Sequence, residues 1–461
     1  MNIVEIYSRF KECGKVTTDT RTLVGGEMFF ALKGENFDGN EYAVKALEAG
    51  AAYAVVNSDS QVGRQVAEGV MEEQLASRLI IVEDTLLTLQ ELARWHRSIT
   101  FVGGKPLTVI ALTGTNGKTT TKELIREVLT VKYKVTATEG NLNNSIGVPL
   151  TLLKIDKETE LAVVEMGASH PGDIKELVNI ALPNYGLITN VGKAHLLGFG
   201  SFEGVMQTKG ELYDYLRRTA DKVFLNTDNP YLCRMAAERG LHNDSERPDQ
   251  SLVIPYGIEY QKAEVLPSSA EHPFLRVSIA GRTVQTNLVG SYNADNVMAA
   301  LAVGQYFGVA FEDAVHAIEA YHPSNNRSQM TRTERNTLIV DAYNANPTSM
   351  EAALKNFANV EAAHKTAMLG DMLELGEDSV AEHIRIAEIA VNLDIERIFL
   401  VGAEFEKAVS RMNGIQGIEK VTCFPTSAEL ADHLKNNTID ASVILLKGSR
   451  GTRMEKVIEV L

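Results

Sequence analysis

The sequence predicts an α/β protein of three domains built on parallel sheets. Its 461 residues are too many for one hydrophobic core, and two to four domains are expected at that length. Short apolar segments alternate with amphipathic ones along the chain, which is typical of βαβ units. Turn-rich segments near residue 105 and at 321–326 separate three such series. We therefore predict domains over residues 1–105, 106–322 and 323–461.

The first domain is predicted to be a small α/β unit. Its apolar segments EMFFAL, AAYAVV and RLIIVE have the length and composition of strands. Helices are predicted for EYAVKALEAG and TLLTLQELARWHRSIT. The turn-rich FVGGKP that follows indicates the end of the domain.

The second domain is predicted to contain a parallel sheet with helices on both faces. Its strands are LTVIALT, KVTATE, ELAVVEMG, YGLITNV, KVFLN and LVIPYG. Helices are predicted over residues 118–131, 173–181 and 202–216, and this alternation is that of a βαβ sheet. A hairpin-like segment, FLRVSIAGRTVQTNLVG, precedes two further predicted helices.

A second doubly wound, Rossmann-like sheet is predicted for the third domain. Its strands are TLIVDAY, KTAMLGD, RIFLVGA, KVTCFP and SVILLKG, each followed by a helical segment. Ligands of such sheets bind beyond the carboxyl ends of the strands. The polar residues that end the strands are therefore the candidates for function.

The segment VIALTGTNGKTTTKEL, residues 109–124, has the order of a phosphate-binding loop: a buried strand, a glycine turn and a helix start. Glycines permit the tight turn, and the helix N-terminus favours an anion. In such a loop Lys118 reaches the outer phosphates and the Thr119 hydroxyl binds Mg²⁺. The loop is a short variant, since Leu112 occupies the place of the usual first glycine. The alternative is a glycine-rich turn without a ligand. The predicted nucleotide-binding residues here are Gly114, Thr115, Asn116, Gly117, Lys118, Thr119 and Thr120.

Polar residues also follow other strands of the second domain. Glu165 ends an apolar run, where a carboxylate is unfavourable unless it is paired or bound to a metal. His195 lies in the loop after the next strand, and Lys209 lies within an amphipathic helix. A strand-to-helix loop contains Asn141, Asn143 and Asn144. Each has a structural alternative: a helix-capping or salt-bridged acid, a loop histidine, a solvated surface lysine and turn-forming asparagines. Together with the phosphate loop they favour nucleotide chemistry, which needs metal ligands beside the phosphates.

The third domain supplies further charged candidates. Arg327, at the interdomain hinge, suits the stabilisation of charge on a transferring phosphoryl group. Asp341 suits ribose hydroxyls, with a helix cap or a turn aspartate as the alternative. The last strand–helix junction carries Lys447, Arg450 and Arg453, which suit a carboxylate or phosphate unless they are simply solvated.

Composition restricts the class of protein. A net charge of −15 and a pI near 5.3 argue against a nucleic-acid-binding surface. Cys13, Cys233 and Cys423 form no C-x-x-C pair, so a disulfide framework or zinc site is not expected. The start of the sequence does not have the pattern of a signal peptide, and no apolar run has the length of a membrane span. We expect a cytoplasmic protein without a membrane partner.

Seven ordered motifs resemble those of the Mur ligases, ATP-dependent enzymes that extend the peptidoglycan peptide. In the second domain they are TGTNGKTTTKEL, GNLNNSIGVPLTLL, EMGASHPGDI and NVGKAHLLGFGS, and in the third DAYNANPTSM, GDMLELGE and KGSRGTRME. Residues 17–56 are similar to the family's UDP-sugar-binding module. The resemblance thus covers all three domains and implies a UDP-binding domain, a central ATPase-like domain with a phosphate loop and a C-terminal ligase domain.

The resemblance also implies cofactors and catalytic residues. It implies ATP and Mg²⁺, with Thr119, Glu165 and His195 as the metal-binding residues. Lys209 matches a lysine that family members carry as a carbamate, an anion in place of a cation. The implied catalytic residues are Lys118, Lys209, His195 and Arg327.

Binding residues follow from the same resemblance. Asn293 and Asn296 match a stretch that contacts adenine, Arg327 lies near the γ-phosphate and Asp341 faces the ribose. Residues matching those that hold UDP are Thr20, Arg21, Lys33 and Gly34. The remaining substrate-binding candidates are Asn141, Asn143, Asn144 and Asn344.

The implied substrates are small molecules, UDP-N-acetylmuramoyl-tripeptide and D-alanyl-D-alanine. The tripeptide carboxylate is expected to become an acyl phosphate that the dipeptide amine attacks, while the third domain closes over the second. We expect a monomer that binds no nucleic acid. Two alternatives stay open: a folylpolyglutamate synthase, and a nucleotide-dependent switch that hydrolyses ATP without a second substrate.

Overall fold

A computed structural model describes residues 1–244, 250–269, 272–323, 327, 329–412 and 414–461. These residues form three α/β units in the order that the sequence predicts. Part of the turn at 321–326, the predicted second boundary, lies outside the described residues, and both boundaries stay predictions. Among the described residues, no helix is long and apolar enough to cross a membrane.

The first unit is a parallel sheet of four strands in the order β1-β2-β3-β4. Strands β1 to β4 are Val16–Thr17, Met28–Phe30, Tyr53–Asn57 and Leu79–Val82. Helices α1 to α5 are Ile3–Cys13, Ala43–Glu48, Gln61–Ala67, Glu73–Ala76 and Thr85–Ser98. A two-stranded ribbon follows, formed by β5, Phe101–Val102, and β6, Lys105–Pro106.

The second unit has a six-stranded parallel sheet in the order β12-β11-β10-β7-β9-β8. Strands β7 to β12 are Thr108–Thr113, Val135–Ala137, Leu161–Glu165, Tyr185–Ile188, Lys222–Asn226 and Val253–Tyr256. A small antiparallel sheet contains β13 to β15, Glu264–Leu266, Arg276–Ile279 and Arg282–Gln285. Helices α6 to α13 are Lys118–Thr130, Gly147–Leu152, Asp173–Ala181, Leu196–Phe199, Phe202–Thr219, Pro230–Glu238, Ala294–Tyr306 and Phe311–Ala320.

The third unit has six described strands in the order β16-β17-β21-β18-β19-β20. Strands β16 to β21 are Gln329–Arg332, Thr337–Asp341, Lys365–Gly370, Arg397–Val401, Val421–Phe424 and Val443–Lys447. All pair in parallel except β16, which is antiparallel to β17. Helices α14 to α18 are Pro347–Ala358, Ser379–Asn392, Ala403–Val409, Ser427–Asn436 and Glu455–Ile458.

Both large sheets are covered by helices on their two faces. In β7, Val109 and Ala111 enter one apolar cluster, whereas Ile110 and Leu112 enter another. The same alternation divides the strands of the third unit between two clusters. Successive side chains of a strand point to opposite faces, so each strand is buried on both sides. The predicted fold class is confirmed.

The first two units share one hydrophobic core. Helix α5 packs against α7 and α8, and its Leu92 lies in the same apolar cluster as Leu152 and Leu177. The third unit contacts the second through polar pairs described below, and through Val289 and Phe274, which pack against its core. The first two units are therefore the more firmly joined pair.

We expect the substitution Leu92→Ala to destabilise the protein, because it leaves a cavity in the shared core. Leu92 is fully buried, and such a truncation lowers the free energy of unfolding by about 2–5 kcal/mol. Thermal unfolding followed by circular dichroism measures the shift in midpoint. Leu87→Ala is the matched control, because Leu87 lies in the same helix and is 52% exposed. Equal shifts for both variants would contradict the shared core.

Candidate active site

The phosphate loop connects β7 to α6, which begins at Lys118. Gly114 and Gly117 have φ angles of 150° and 77°, values that favour glycine. A Cβ at Gly114 would collide with the Thr189 hydroxyl, and one at Gly117 would lie 2.7 Å from the Asn296 side-chain oxygen. Glycine is therefore required at both turns of the loop.

The end of the neighbouring strand β10 holds this loop in place. The N–H of Thr115 donates to the carbonyl of Asn190 at 2.9 Å, and that of Asn116 donates to the Asn190 side chain at 3.0 Å. The Thr189 hydroxyl donates to the Asn116 carbonyl at 2.6 Å. Asn190 was not predicted as a site residue, and its only signal is a polar side chain directly after the apolar YGLIT.

Lys118 places a cation inside the loop. Its Nζ donates to the carbonyls of Gly114 and Thr115 at 2.8 and 3.1 Å. Burial lowers the pKa of the Lys118 ammonium, the Glu165 carboxylate opposes this effect, and Arg327 adds to it. A positive charge at a helix N-terminus makes an anion site, and the loop therefore fits the phosphates of a nucleotide.

Glu165 is the last residue of β9 and is only 1% exposed. Its Oε1 accepts from the Thr119 hydroxyl at 3.3 Å and from the Asn143 amide at 2.8 Å. Its Oε2 is buried and has no hydrogen-bond partner among the described residues. A buried carboxylate oxygen without a partner is unfavourable, so a cation beside Thr119 fits this residue.

His195 follows β10 and caps the short helix α9. Its Nδ1 contacts the carboxylate of Glu374, a residue of the third unit. Burial lowers the pKa of the His195 imidazole, the Glu374 carboxylate opposes this, and the Lys118 and Lys209 ammonium groups add to it. A neutral imidazole is the form that binds a metal ion.

Lys209 lies in α10 and is 3% exposed, so the alternative of a surface lysine is wrong. Its Nζ lies 5.5 Å from the Phe199 ring centroid. Burial and the nearby Lys118 ammonium lower the pKa of Lys209 to about 7, against the influence of Asp173 and Glu211. The amine is therefore partly neutral, and nucleophilic, at physiological pH.

The third unit contributes charged groups at the ends of its central strands. Asp341 and Lys447 are register partners on β17 and β21, and their side chains form an ion pair with Lys447 only 1% exposed. Lys447 is thus not simply solvated. The Arg327 guanidinium stacks on the Tyr343 ring, 3.7 Å from its centroid, and the Arg450 guanidinium lies 5.9 Å from it.

Asn293 and Asn296 form a buried amide pair at the start of α12. The Asn296 amide donates to the Asn293 side chain at 2.8 Å and accepts from the Thr121 hydroxyl at 2.9 Å. Nearby, Asn226 donates to Asp295 at 3.1 Å, and burial raises the pKa of that carboxyl group. Asn296 therefore anchors the phosphate-loop helix, whatever else it contacts.

One cavity of about 880 Å³ lies between the second and third units. It brings together most of the predicted site residues. Those on its wall are Thr115, Asn116, Gly117, Lys118, Thr119, Asn143, Asn144, Glu165, His195, Asn293, Asn296, Arg327, Asp341, Asn344 and Lys447. Polar and aromatic wall residues that were not predicted include Asp173, Asn190, Asn226, Asp228, Tyr231, Asp295, Tyr343 and Thr348.

The other predicted residues do not line this cavity. Gly114 and Thr120 adjoin it in the phosphate loop, Asn141 lies in the same loop as Asn143, and Lys209 lies within α10. The four candidates in the first unit are separate from it: Thr20, Arg21, Lys33 and Gly34. Arg21 is exposed and its side chain is paired with Asp19, and the backbone of Lys33 pairs with that of Asp38 in an isolated antiparallel β-bridge. Asn144, which does line the cavity, accepts through its side-chain oxygen from the N–H of Gly147, the first residue of α7, at 2.8 Å.

Comparison with known families finds three matches in chain order. Residues 13–97 match the catalytic domain of the Mur ligase family, residues 112–304 the Mur ligase middle domain, and residues 326–450 the Mur ligase glutamate ligase domain. The phosphate loop, Glu165 and His195 lie in the second match. Arg327 and Asp341 lie in the third.

Relatives of known name resemble nearly the whole chain. The UDP-N-acetylmuramoyl-tripeptide–D-alanyl-D-alanine ligase of Bacillus subtilis (strain 168) is 34% identical over 455 residues, which are 97% of this chain and 92% of that protein. The enzyme of the same name from Escherichia coli (strain K12) is 32% identical over 451 residues, 97% of this chain and 93% of that one.

Solved structures show the same three-part architecture. MurF from Acinetobacter baumannii matches with a TM-score of 0.78 and 29% identity over 96% of this chain and 92% of that one. MurF ligase from Thermotoga maritima, solved in complex with ADP, matches with a TM-score of 0.76 and 26% identity over 97% and 96% of the two chains. Since the similarity extends through all three units, the chain belongs to the Mur ligase family.

Proposed function

We propose that this chain is an ATP-dependent ligase that joins D-alanyl-D-alanine to UDP-N-acetylmuramoyl-tripeptide in the synthesis of peptidoglycan precursors. The observation that carries the proposal is the cavity between the second and third units. Lys118 of the phosphate loop lines the same cavity as Arg327 and Lys447 of the third unit. The names of the relatives support the choice of substrates.

The reaction needs activation of a carboxylate, which is a poor electrophile. A terminal oxygen of the tripeptide attacks the γ-phosphorus of ATP, and the bond to the bridging oxygen breaks, releasing ADP and leaving an acyl phosphate. The dipeptide amine then attacks the acyl carbon and loses a proton. The carbon–oxygen bond to phosphate breaks, and inorganic phosphate leaves with that electron pair. Positioning and charge neutralisation account for most of such catalysis.

Two cations serve the phosphoryl transfer in this proposal. Lys118 holds the outer phosphates within the loop, and Arg327 stabilises the charge that develops at the γ-phosphate. Tyr343 holds the Arg327 guanidinium by stacking on it. The third unit excludes water from the acyl phosphate by lying over the second.

Magnesium fits the group formed by Thr119, Glu165 and His195. Within the described residues, no three His, Cys, Asp or Glu side chains meet as a metal site. Few protein ligands are typical of Mg²⁺, which keeps several waters and binds one or two carboxylates together with substrate phosphates. When bound, it neutralises phosphate charge and orients the reacting groups.

Lys209 is proposed to carry a carbamate. Its amine nitrogen attacks carbon dioxide, a nitrogen–carbon bond forms, one carbonyl electron pair moves to oxygen and the nitrogen loses a proton. A pKa of about 7 leaves enough neutral amine for this step near neutral pH. The product is an anion beside Lys118, where two ammonium groups would otherwise repel each other.

The remaining assignments concern binding. We propose that Asn293, Asn296 and Asp341 hold the adenosine of ATP. Thr20, Arg21, Lys33 and Gly34 hold UDP, Asn141, Asn143 and Asn144 contact the tripeptide substrate, and Asn344 contacts the dipeptide. The domains are proposed to be 1–105 for UDP-sugar binding, 106–322 for ATP binding and 323–461 for ligation. The chain is proposed to act as a monomer in the cytoplasm.

Phosphate release should require both substrates if the chain is a ligase. We expect release from ATP only when UDP-N-acetylmuramoyl-tripeptide and D-alanyl-D-alanine are both present, because the acyl phosphate turns over only on the amine. A coupled phosphate assay tests this, with tripeptides ending in diaminopimelate and in lysine run side by side. Release that neither substrate affects would instead indicate a nucleotide-dependent switch.

Replacing Lys209 with alanine should abolish activity by removing the carbamate. We expect Lys209→Ala to lower kcat by about 100-fold or more, as loss of a positioning or charge-stabilising group does, and acetate or formate to restore part of it. In the wild-type protein, stimulation by bicarbonate should be stronger at pH 8 than at pH 6, since the neutral form of the Lys209 amine increases as pH rises through about 7.

The control for this experiment is Lys175→Ala, because Lys175 is an exposed lysine of the neighbouring helix α8. It should show neither loss nor rescue. Full activity of Lys209→Ala without added acid would refute the carbamate.

Replacing Glu165 with glutamine should weaken cation binding, because it removes the negative charge while preserving shape. With ADP present, we expect the affinity for Mn²⁺, a substitute for Mg²⁺ with an electron paramagnetic resonance signal, to fall by about 10-fold or more. Glu160→Gln, an exposed change just before the opposite end of the same strand, is the control. Unchanged Mn²⁺ affinity in Glu165→Gln would exclude Glu165 as a ligand.

A further inference from the structure

A loop of the third unit reaches the second unit and contacts His195. It comprises residues 371–378, between β18 and α15. At its tip the carboxylate of Glu374 contacts the Nδ1 of His195, and the Glu374 carbonyl accepts from the N–H of Leu197 at 3.2 Å. Gly376 lies beside Leu197 as well. Side chain and backbone of Glu374 thus both contact the His195 segment.

The third unit itself fixes the base of this loop. The Asp371 carboxylate accepts from the N–H groups of Glu404 and Phe405 at 3.0 and 2.9 Å, at the start of α16. The N–H of Met372 donates to Nε2 of the buried His383 at 3.0 Å. The base of the loop that carries Glu374 is therefore held within the third unit.

Both residues in this contact have an unusual backbone conformation. Glu374 has a φ of 64° and His195 a φ of 50°, in the left-handed region that non-glycine residues rarely occupy. Such residues persist where the surrounding structure holds them, and they concentrate at functional sites. Here two of them meet across the interface between two units, which a packing role alone does not require.

The chemistry of imidazole gives the contact a consequence. A neutral imidazole has one nitrogen that carries a proton and one that carries a lone pair. A carboxylate at Nδ1 accepts a hydrogen bond from the N–H of that nitrogen, so the proton stays on Nδ1 and the lone pair is on Nε2. Histidines that bind metals commonly have such a partner, which fixes the ring and its tautomer.

We propose that Glu374 is a positioning residue for His195, supplied by the third unit. Its carboxylate holds the imidazole with Nδ1 protonated and with the Nε2 lone pair available to the cation beside Thr119 and Glu165. Placement of the third unit against the second thereby completes the cation site. This inference rests on the proposed function, because it assumes a cation at Glu165 and His195.

The variant Glu374→Gly distinguishes a role of Glu374 in orienting His195 from a role in the stability of the fold. It removes the carboxylate, yet glycine adopts a φ of 64° without strain. We expect its thermal stability to equal or exceed that of the wild-type protein, while Mn²⁺ affinity with ADP, measured by electron paramagnetic resonance, falls by about 10- to 100-fold. Glu374→Gln, which keeps a hydrogen-bond acceptor, should fall between the two.

The matched control is Glu377→Gln, because Glu377 is an exposed acid of the same loop. It should leave Mn²⁺ affinity unchanged. Equal affinities for wild-type and Glu374→Gly proteins would overturn the proposal, and so would an equal loss in Glu377→Gln. Since the titration uses ADP without the acceptor substrates, its result is independent of whether the chain proves to be a ligase.

A double-mutant cycle tests whether Glu374 acts through His195. In a His195→Ala background, Glu374→Gly should weaken Mn²⁺ binding no further, since its target is gone. Nitrogen chemical shifts of ¹⁵N-histidine-labelled protein should show His195 protonated on Nδ1 in the wild type and a loss of that preference in Glu374→Gly. Additive losses in the cycle, or an unchanged tautomer, would refute the positioning role.

Discussion

The burial of positive charges close to one another is the constraint on which the site depends. Burial is the main cause of the lowered pKa values of Lys209 and Lys118, while the Lys118 ammonium lowers the pKa of Lys209 further and the Arg327 guanidinium lowers the pKa of Lys118 further. Glu165, an anion that acts on Lys118, is held by Thr119 and Asn143, and one of its carboxylate oxygens has no hydrogen-bond partner among the described residues. The part of the cavity beside Lys118 and the start of α6 therefore favours an anion. In the proposed reaction, the nucleotide phosphates, a substrate carboxylate and a carbamate would each supply negative charge there.

The sheet order explains why these groups meet. Strand β7 lies between β9 and β10, so the phosphate loop, Glu165 and the His195 segment leave the sheet at adjacent carboxyl ends. In the third unit, Asp341 and Lys447 leave neighbouring strands in register. The two sheet edges face one cavity. The strand order thus brings residues that are distant in sequence to the wall of one cavity.

Much of this was predictable from the sequence, because strand-end residues and glycine turns have local signals. The β7 loop, Glu165 and α8, Asp173–Ala181, follow from apolar runs and helix periodicity. Helix α1 was missed although Asn2 and Glu5 form a capping box and Gly14 ends the helix. The antiparallel strand β16 was missed because it is short and polar, and only pairing with β17 defines it.

Other features have no local signal at all. The burial of Lys209 depends on α10 packing against α8 and α9, and the Glu374–His195 contact joins residues from different units. The joining of the first unit to the second also has no local signal in the sequence, because it depends on α5 packing into the core of the second unit. Moving the first unit away would expose apolar side chains to water, at a free-energy cost that rises with the area exposed. The third unit meets the second through polar pairs such as Lys193–Glu382 and Asn116–Asn346, which water can replace, and through the apolar contacts of Val289 and Phe274. We therefore expect relative motion of the three units to be concentrated at the interface between the second and the third, while the first unit moves together with the second.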